Sequence, residues 1–228
     1  MIVAIHQPQF MPWLGYFDKM DRADAFVLLD NVQYKKSEWQ NRNRIKTAQG
    51  KQWLTVPVRF KFPAPIAEVE VNNAENWRNK HWQALRTHCA RAPHWERIGA
   101  VLEEFYQRDW CMLAELNQVS LEWLKEYMGV ETPLYLASEM DLSAEPTQRL
   151  VDICKIVGAG TYLSGVDGAK YMQMELFAEA GIEVIFQQYD HPTYSQLFGA
   201  FESHLSALDL AINCGPDSLE IVRSGRRL

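Results

Sequence analysis

Polar side chains follow two short apolar runs near the start of this 228-residue chain. Residues 2–5 (IVAI) lead directly into His6 and Gln7, and a second run, 25–29, leads into Asp30. Parallel strands of an open α/β sheet present their ligand-binding groups at their carboxyl ends, so we expect a ligand crevice here. His6 is the candidate catalytic residue, because an imidazole whose pKa lies near neutrality can act as a general acid or base. The alternative is a histidine satisfied by hydrogen bonds at a strand end.

The segment 31–46 holds the densest group of amide and cationic side chains. Amides suit sugar hydroxyls and base edges, whereas lysine and arginine suit a pyrophosphate or a carboxylate. Further along, Ser164 and Gly165 end a predicted strand and His191 follows another. The alternative for the basic residues is a solvated hairpin. The predicted substrate-binding residues are Gln7, Tyr16, Asn31, Gln33, Lys35, Lys36, Gln40, Asn41, Arg42, Arg44, Ser164, Gly165 and His191.

The histidines and cysteines do not form a recognisable metal or catalytic motif. His81, His88 and His94 are spaced by seven and six residues around a proline, and neither carboxylates nor cysteines complete a zinc set. The four cysteines show no CxxC pairing, so buried free thiols are expected. Ser164 lacks the G-x-S-x-G setting of a hydrolase nucleophile. We therefore predict no metal site.

Charge and hydropathy exclude several classes of partner. The net charge is 23 − 29 = −6, which argues against binding duplex nucleic acid or an anionic membrane. Residues 35–61 nevertheless hold eight basic side chains against the single acid Glu38, and such a patch suits a phosphate-bearing or carboxylate small molecule. Apolar runs stay short of the ~20 residues of a membrane span, and a signal peptide is not visible. A cytoplasmic location is expected.

The pattern along the chain predicts one α/β domain over residues 1–228 with a mostly parallel open sheet. A Trp-rich block at about 75–130 has apolar residues spaced by three and four, which predicts a helical insertion. Strands are predicted at 2–6, 25–30, 52–58, 133–137 and 182–186, and helices at 13–22, 146–157 and 169–180, with two short helices in the C-terminal tail.

The segment FMPWLGYFDKM has the cadence of nucleotidylyltransferase folds, which belong to the HUP-like group and carry F-x-P-x-H-x-G-H at the start of their first helix. Phe10 and Pro12 match the F-x-P, but Trp13 and Tyr16 fall where the histidines would stand. Those histidines stabilise charge on the phosphates during transfer. The likeness therefore predicts the fold. The missing histidines count against adenylyl transfer, unless other residues have taken over their role.

The chain also resembles the WbqC-like family. The resemblance is carried by HQPQFMPWLGYFDKM, DNVQYKKSEWQNRNRIK, WLTVPV, YLSG, AGIEVIFQQYDHPTYSQ and LSALDLAINCG. These segments run through nearly the whole chain, with the helical middle least distinctive. The resemblance implies a cytoplasmic sugar-modifying enzyme of bacterial surface-polysaccharide (O-antigen) biosynthesis, and it suggests transfer of an aminoacyl group, glycine, to an amino sugar. It supplies no set of catalytic residues.

Three functional hypotheses follow from the sequence. The first is a transferase that acylates a nucleotide-linked amino sugar, using a small activated acyl donor. The second is a nucleotidylyltransferase-like enzyme, for which ATP and Mg²⁺ would be the cofactors. The third is a non-catalytic module that binds a sugar nucleotide. The sequence leaves the sugar, the donor and the oligomeric state open.

Overall fold

The structure, a computed structural model, describes residues 1–227. Its strands are β1 (Ile2–His6), β2 (Ala25–Leu28), β3 (Arg42–Thr47), β4 (Gly50–Thr55), β5 (Val58–Arg59), β6 (Glu70–Val71), β7 (Leu134–Leu136), β8 (Thr161–Ser164) and β9 (Glu183–Phe186). Its α-helices are α1 (Leu14–Asp21), α2 (Trp77–Cys89), α3 (Trp95–Gln107), α4 (Leu113–Met128), α5 (Pro146–Ile156), α6 (Met174–Glu179), α7 (Ala207–Cys214) and α8 (Ser218–Ser224).

A five-stranded sheet, parallel throughout, forms the centre of the fold. Its spatial order is β7-β2-β1-β8-β9, so the order reverses between β1 and β8. Val3 lies opposite Ala25 on one side and opposite Tyr162 on the other. The α/β class with a mostly parallel open sheet is thus confirmed. In such sheets, the reversal opens a crevice at the carboxyl ends of the two diverging strands.

The apolar runs of β1 and β2 are continuous because both faces of the sheet are covered. Ala4 and Phe26 face a buried cluster shared with α1 and the helical block. Val3 and Val27 face a second cluster shared with α5 and α6. Two-sided burial explains why neither run shows the apolar–polar alternation of a half-exposed strand.

The connection from β2 to β7 departs from the prediction in one respect. The strand expected at 52–58 is split into β4 and β5, and β4 pairs antiparallel with β3 in a separate hairpin. Strand β3 was missed because Arg42–Thr47 is rich in polar residues, which rarely mark strands. The helix expected at 169–180 is also shorter, since α6 begins at Met174 after a 3₁₀ turn.

Helices α2, α3 and α4 account for the Trp-rich block. Leu85, Leu102 and Leu116, one from each helix, are fully buried in the same cluster as Phe26 of the sheet. The single domain with an insertion stays a prediction. The cysteines were expected to be buried, but Cys111 is exposed. Over residues 1–227, the helices are all too short or too polar to cross a membrane.

Candidate functional site

A cavity of about 650 Å³ opens where the strand order reverses, and we call it the crevice. Its size is within the range of small-molecule sites. Its walls come from the carboxyl ends of β1, β8 and β9, from α1 and from the start of α5. Its lining includes Ile5, His6, Gln7, Trp13, Lys19, Leu29, Val32, Lys35, Pro146, Arg149, Leu150, Tyr162, Ser164, Gly165, Val166, Asp167, Gly168, Tyr171, Gln187 and Tyr189.

Lys19 is a lysine buried in the wall of the crevice. Only 2% of it is exposed, because all of α1 from Leu14 to Met20 is buried. Its Nζ donates a hydrogen bond of 2.8 Å to the carbonyl oxygen of Ile5, and it forms no ion pair with a carboxylate of the described residues. Burial lowers the pKa of Lys19 to about 7. A large fraction of this amine is therefore neutral at physiological pH and able to accept a proton.

His6 lies at the end of β1 and lines the crevice, as the sequence predicted. Its pKa is lowered to about 3, first by burial and second by the positive charge of Lys19. The near-neutral pKa expected from the sequence is therefore wrong, and the imidazole is uncharged at pH 7. Its Nδ1 lies 3.1 Å from the carbonyl oxygen of Gln7, which favours the tautomer with the proton on Nδ1. The catalytic role of His6 stays a prediction.

The Gln7 side chain joins the crevice to the polar segment that follows β2. Gln40 donates from Nε2 to Oε1 of Gln7 at 2.7 Å, and its own Oε1 accepts from the backbone N–H of Lys35 at 2.9 Å. Tyr16 donates its hydroxyl to the carbonyl oxygen of Gln7 at 3.2 Å, and its ring packs 4.7 Å from that of His6. Gln40 and Tyr16 therefore support the wall that Gln7 and Lys35 line.

Polar groups from β8, β9 and α5 complete the crevice. Ser164 is buried at the end of β8, and Gly165 follows it. Gln187, which follows β9, donates from Nε2 to the carbonyl oxygen of Gly15 at 2.8 Å and to Asp18 at 2.7 Å. The guanidinium of Arg149 donates to two carbonyl oxygens in the loop before α5. Arg149 and Lys35 supply positive charge beside the hydrogen-bonding groups.

Trp13 directly precedes α1 and packs against its start. Its indole packs over the first turn of α1, where a Cβ built on Gly15 would lie 2.3 Å from Trp13 Cη2. Only glycine leaves room for this ring, so the Trp-Leu-Gly sequence is a packing requirement. The same indole lines the crevice.

Several predicted binding residues lie outside the crevice lining. Asn31 and Asn41 donate to the carbonyl oxygens of Ala137 and Val56, so their amides hold loops. Gln33 and Lys36 are exposed. Those predicted residues that do not line the crevice are Tyr16, Asn31, Gln33, Lys36, Gln40, Asn41, Arg42, Arg44 and His191.

Arg42, Arg44 and His191 pack on aromatic side chains. Arg42 and Arg44 stand on β3 and stack on tryptophans. His191 packs on Trp13 with ring centroids 6.3 Å apart and planes tilted by 18°.

The structure also shows what the sequence reasoning missed, chiefly Lys19, Arg149 and Gln187. Lys19 lies in the predicted helix after the first strand, but its neighbours Asp18 and Asp21 are also charged, so the sequence did not single it out. Arg149 lies in the first turns of a predicted helix, but the sequence does not show that its side chain points toward the crevice. Across residues 1–227, no group of three or more His, Cys, Asp or Glu side chains is arranged to hold a metal ion.

A second cavity, of about 560 Å³, lies among α3, α4 and Met11. Phe105, Trp110 and Trp123 give it a largely apolar wall. Arg108 at its edge is already paired with Glu115. Ligand sites combine an apolar wall with a few convergent polar groups, and the crevice has more of these. The crevice is therefore the candidate functional site.

The fold and the crevice together define an α/β protein with a candidate small-molecule site at the switch point of an open parallel sheet. The chain belongs to the WbqC-like protein family, whose model matches residues 7–221. It is 37% identical over 229 residues to the uncharacterized protein Rv1507c of Mycobacterium tuberculosis, and the match covers 99% of each chain. No solved structure matches this chain.

Proposed function

We propose that this protein is a transferase that acylates the amine of a nucleotide-linked amino sugar held in the crevice. The observation that carries the proposal is Lys19, a buried amine whose pKa of about 7 suits a general base and which lines a polar crevice at the sheet's switch point. Positive groups at Arg149 and Lys35 suit the diphosphate. Gln7 and Ser164 suit the sugar hydroxyls.

The chemistry assigns one role to each group. The amine nitrogen of the sugar forms a bond to the carbonyl carbon of the activated acyl donor. The bond from that carbon to the leaving group breaks, and the leaving group departs with the electron pair. The proton lost from the nitrogen passes to the neutral amine of Lys19. His6, uncharged at this pH, accepts a hydrogen bond at Nε2 and orients the amine or a sugar hydroxyl.

The setting of this reaction is part of the proposal. The resemblance to the WbqC-like family supports a cytoplasmic step in bacterial surface-polysaccharide biosynthesis, with glycine as the acyl group. Adenylyl transfer with ATP and Mg²⁺ is less well supported, because Trp13 and Tyr16 occupy the places of the phosphate-stabilising histidines.

Binding and turnover of nucleotide-linked amino sugars test the proposal. We expect calorimetry to show binding of such a sugar, Arg149→Gln to weaken it about tenfold, and Arg86→Gln, on α2 and away from the crevice, to leave it unchanged. Mass spectrometry of the sugar after incubation with activated glycine should show the acylated product. Lys19→Met should retain binding and lose the product. Absence of binding across uridine-, guanosine- and thymidine-linked amino sugars would refute the proposal, and binding with no product from any donor would favour a binding module.

A further inference from the structure

The outer face of the β3–β4 hairpin carries a stack of arginines and tryptophans that the crevice does not use. Arg42 Cζ lies 4.3 Å from the ring centroid of Trp53, and Arg44 Cζ lies 5.2 Å from the rings of both Trp39 and Trp53. Register explains the arrangement, since Arg44 pairs directly with Trp53 across the hairpin. Together with His204, these side chains form what we call the ladder.

The ladder's positive charge is not neutralised within residues 1–227. Neither Arg42 nor Arg44 pairs with a carboxylate there, whereas the neighbouring Lys51 pairs with Glu202. The Nε atoms of both arginines are buried and have no hydrogen-bond partner within residues 1–227. Stacking on indoles fixes the planes of the guanidinium groups, so their Nη groups are held in place for a planar or tetrahedral anion. The net charge of the protein is −6, yet Arg42 and Arg44 place two cations without carboxylate partners in residues 1–227 side by side on this hairpin.

The ladder is linked by side-chain contacts to the wall of the crevice. Arg44 donates from Nη2 to the carbonyl oxygen of His204 at 3.0 Å. The His204 ring stacks on Trp13, with centroids 5.5 Å apart and planes tilted by 19°. Trp13 is itself part of the crevice wall. Contacts therefore run without a break from the crevice to Arg42.

Aromatic surface remains open beside the guanidinium groups. The Trp53 side chain is 42% exposed, and His204 is exposed as well. Exposed rings next to fixed cations suit a nucleotide, whose base stacks while its phosphates accept charge-assisted hydrogen bonds.

We propose that the ladder binds the nucleoside diphosphate portion of the activated acyl donor. The crevice then holds the amino sugar, and the acyl group reaches it past Trp13. That the bound nucleotide belongs to an acyl donor rests on the proposed function, whereas the presence of a nucleotide site rests on the ladder alone. Phosphates lie on Arg42 and Arg44, and the base packs on the exposed part of Trp53.

Titration with ADP in the absence of metal tests the ladder. We expect ADP to bind, and Arg42→Gln and Arg44→Gln each to weaken it by about tenfold or more. Arg86→Gln removes a guanidinium that stacks on Trp82 elsewhere, so it controls for charge and should change ADP affinity by less than about twofold. Arg149→Gln, in the crevice, should leave ADP binding unchanged. Trp53→Phe should reduce the change in tryptophan fluorescence on binding.

The outcomes separate the two proposals. Loss of ADP binding in Arg149→Gln but not in Arg42→Gln would overturn the ladder site and leave the proposed function intact. Equal ADP affinity in wild type, Arg42→Gln and Arg44→Gln would also overturn it, as would no binding to wild type. Failure of amino-sugar nucleotides to bind, with ADP binding sensitive to Arg42, would refute the proposed function and support the ladder. If Arg44→Gln unfolds, Arg42→Gln decides, because in the described part of the chain the Arg42 side chain donates a hydrogen bond only to the Ser37 carbonyl of an exposed loop.

Discussion

Nζ of Lys19 lies 2.8 Å from the carbonyl oxygen of Ile5, at the point where β1 reaches the crevice. This hydrogen bond holds the amine at the wall of the site without neutralising its charge. Burial then lowers the pKa of Lys19 to about 7, which makes the amine a base at physiological pH. Lys19 is therefore central to the proposed chemistry.

Acyl transfer should depend on pH through Lys19. Because the base must be unprotonated, we expect the rate at saturating substrate to rise with pH and to level off above about 7. Lys19→Arg should be inactive across this range, since a guanidinium keeps its proton. The measurement is kcat from pH 5.5 to 9, with Arg86→Gln as a control that should follow the wild-type profile. A wild-type rate that does not change with pH would exclude Lys19 as the base.

The same pKa predicts how stability varies with pH. The folded pKa of about 7 lies below the usual 10.5, so the unfolded state binds more protons between these values. The free energy of unfolding therefore falls as pH drops from about 10.5 to 7. Below pH 7 Lys19 causes no further loss of stability. Lys19→Met should remove the penalty and raise stability by on the order of a few kcal/mol at pH 6, with a smaller gain at pH 9. Thermal melts of both proteins at the two pH values check this, and an equal gain at both would contradict it.

A third prediction concerns the packing of Trp13 on Gly15. Gly15→Ala places a methyl group 2.3 Å from Trp13 Cη2, so the indole must move out of the crevice wall. We expect a destabilisation of about 1–3 kcal/mol and weaker ligand binding. Adding Trp13→Ala should restore stability relative to Gly15→Ala. Gly160→Ala is the matched control, because its new Cβ would meet no atom within 4 Å. Denaturant unfolding gives the free energy of unfolding of all four proteins. Equal losses of stability in Gly15→Ala and Gly160→Ala would show that the clash with Trp13 does not cause the destabilisation.

A fourth prediction concerns the ion pairs beneath the crevice. Asp18 is fully buried and accepts from Arg226 Nε at 2.6 Å and from Gln187. Arg226→Ala leaves this buried carboxylate with only the longer contact of 3.9 Å to Arg22 Nη1 as its ion pair within residues 1–227, and should cost about 3 kcal/mol. Arg223→Ala removes a half-exposed arginine from Asp21 and should cost about 1 kcal/mol or less. Equal losses of stability in Arg226→Ala and Arg223→Ala would show that the burial of Asp18 does not strengthen its ion pair with Arg226. Because Gln187 lines the crevice, Arg226→Ala should also weaken ligand binding.

The sequence predicted those parts of the site that are set by strand ends. Apolar runs marked β1 and β2, and polar residues at the ends of parallel strands meet at one edge, which is why His6, Gln7, Ser164 and Gly165 all line the same cavity. Their roles in binding and catalysis stay predictions. The sequence pattern was enough to locate β1 and β2 because a strand that is buried on both faces is an uninterrupted apolar run.

Other parts depend on tertiary contacts that spacing does not show. Asn41 and Gln40 were predicted to bind a ligand, and the structure shows that their amides donate to Val56 and Gln7. Asp18 and Lys19 are adjacent and both buried, and only the structure shows that Asp18 is paired while Lys19 faces the crevice. The pKa of His6 likewise depends on burial and on Lys19, a neighbour thirteen residues away in the sequence.

One measurement tests the central claim most directly. The ¹³Cε resonance of Lys19, assigned by its loss in Lys19→Met, can be followed by NMR from pH 5 to 11 with and without a nucleotide-linked amino sugar. We predict a midpoint near 7 in the free protein, and a shift of that midpoint when the sugar nucleotide is bound. A midpoint near 10.5 that saturating ligand does not move would contradict the account.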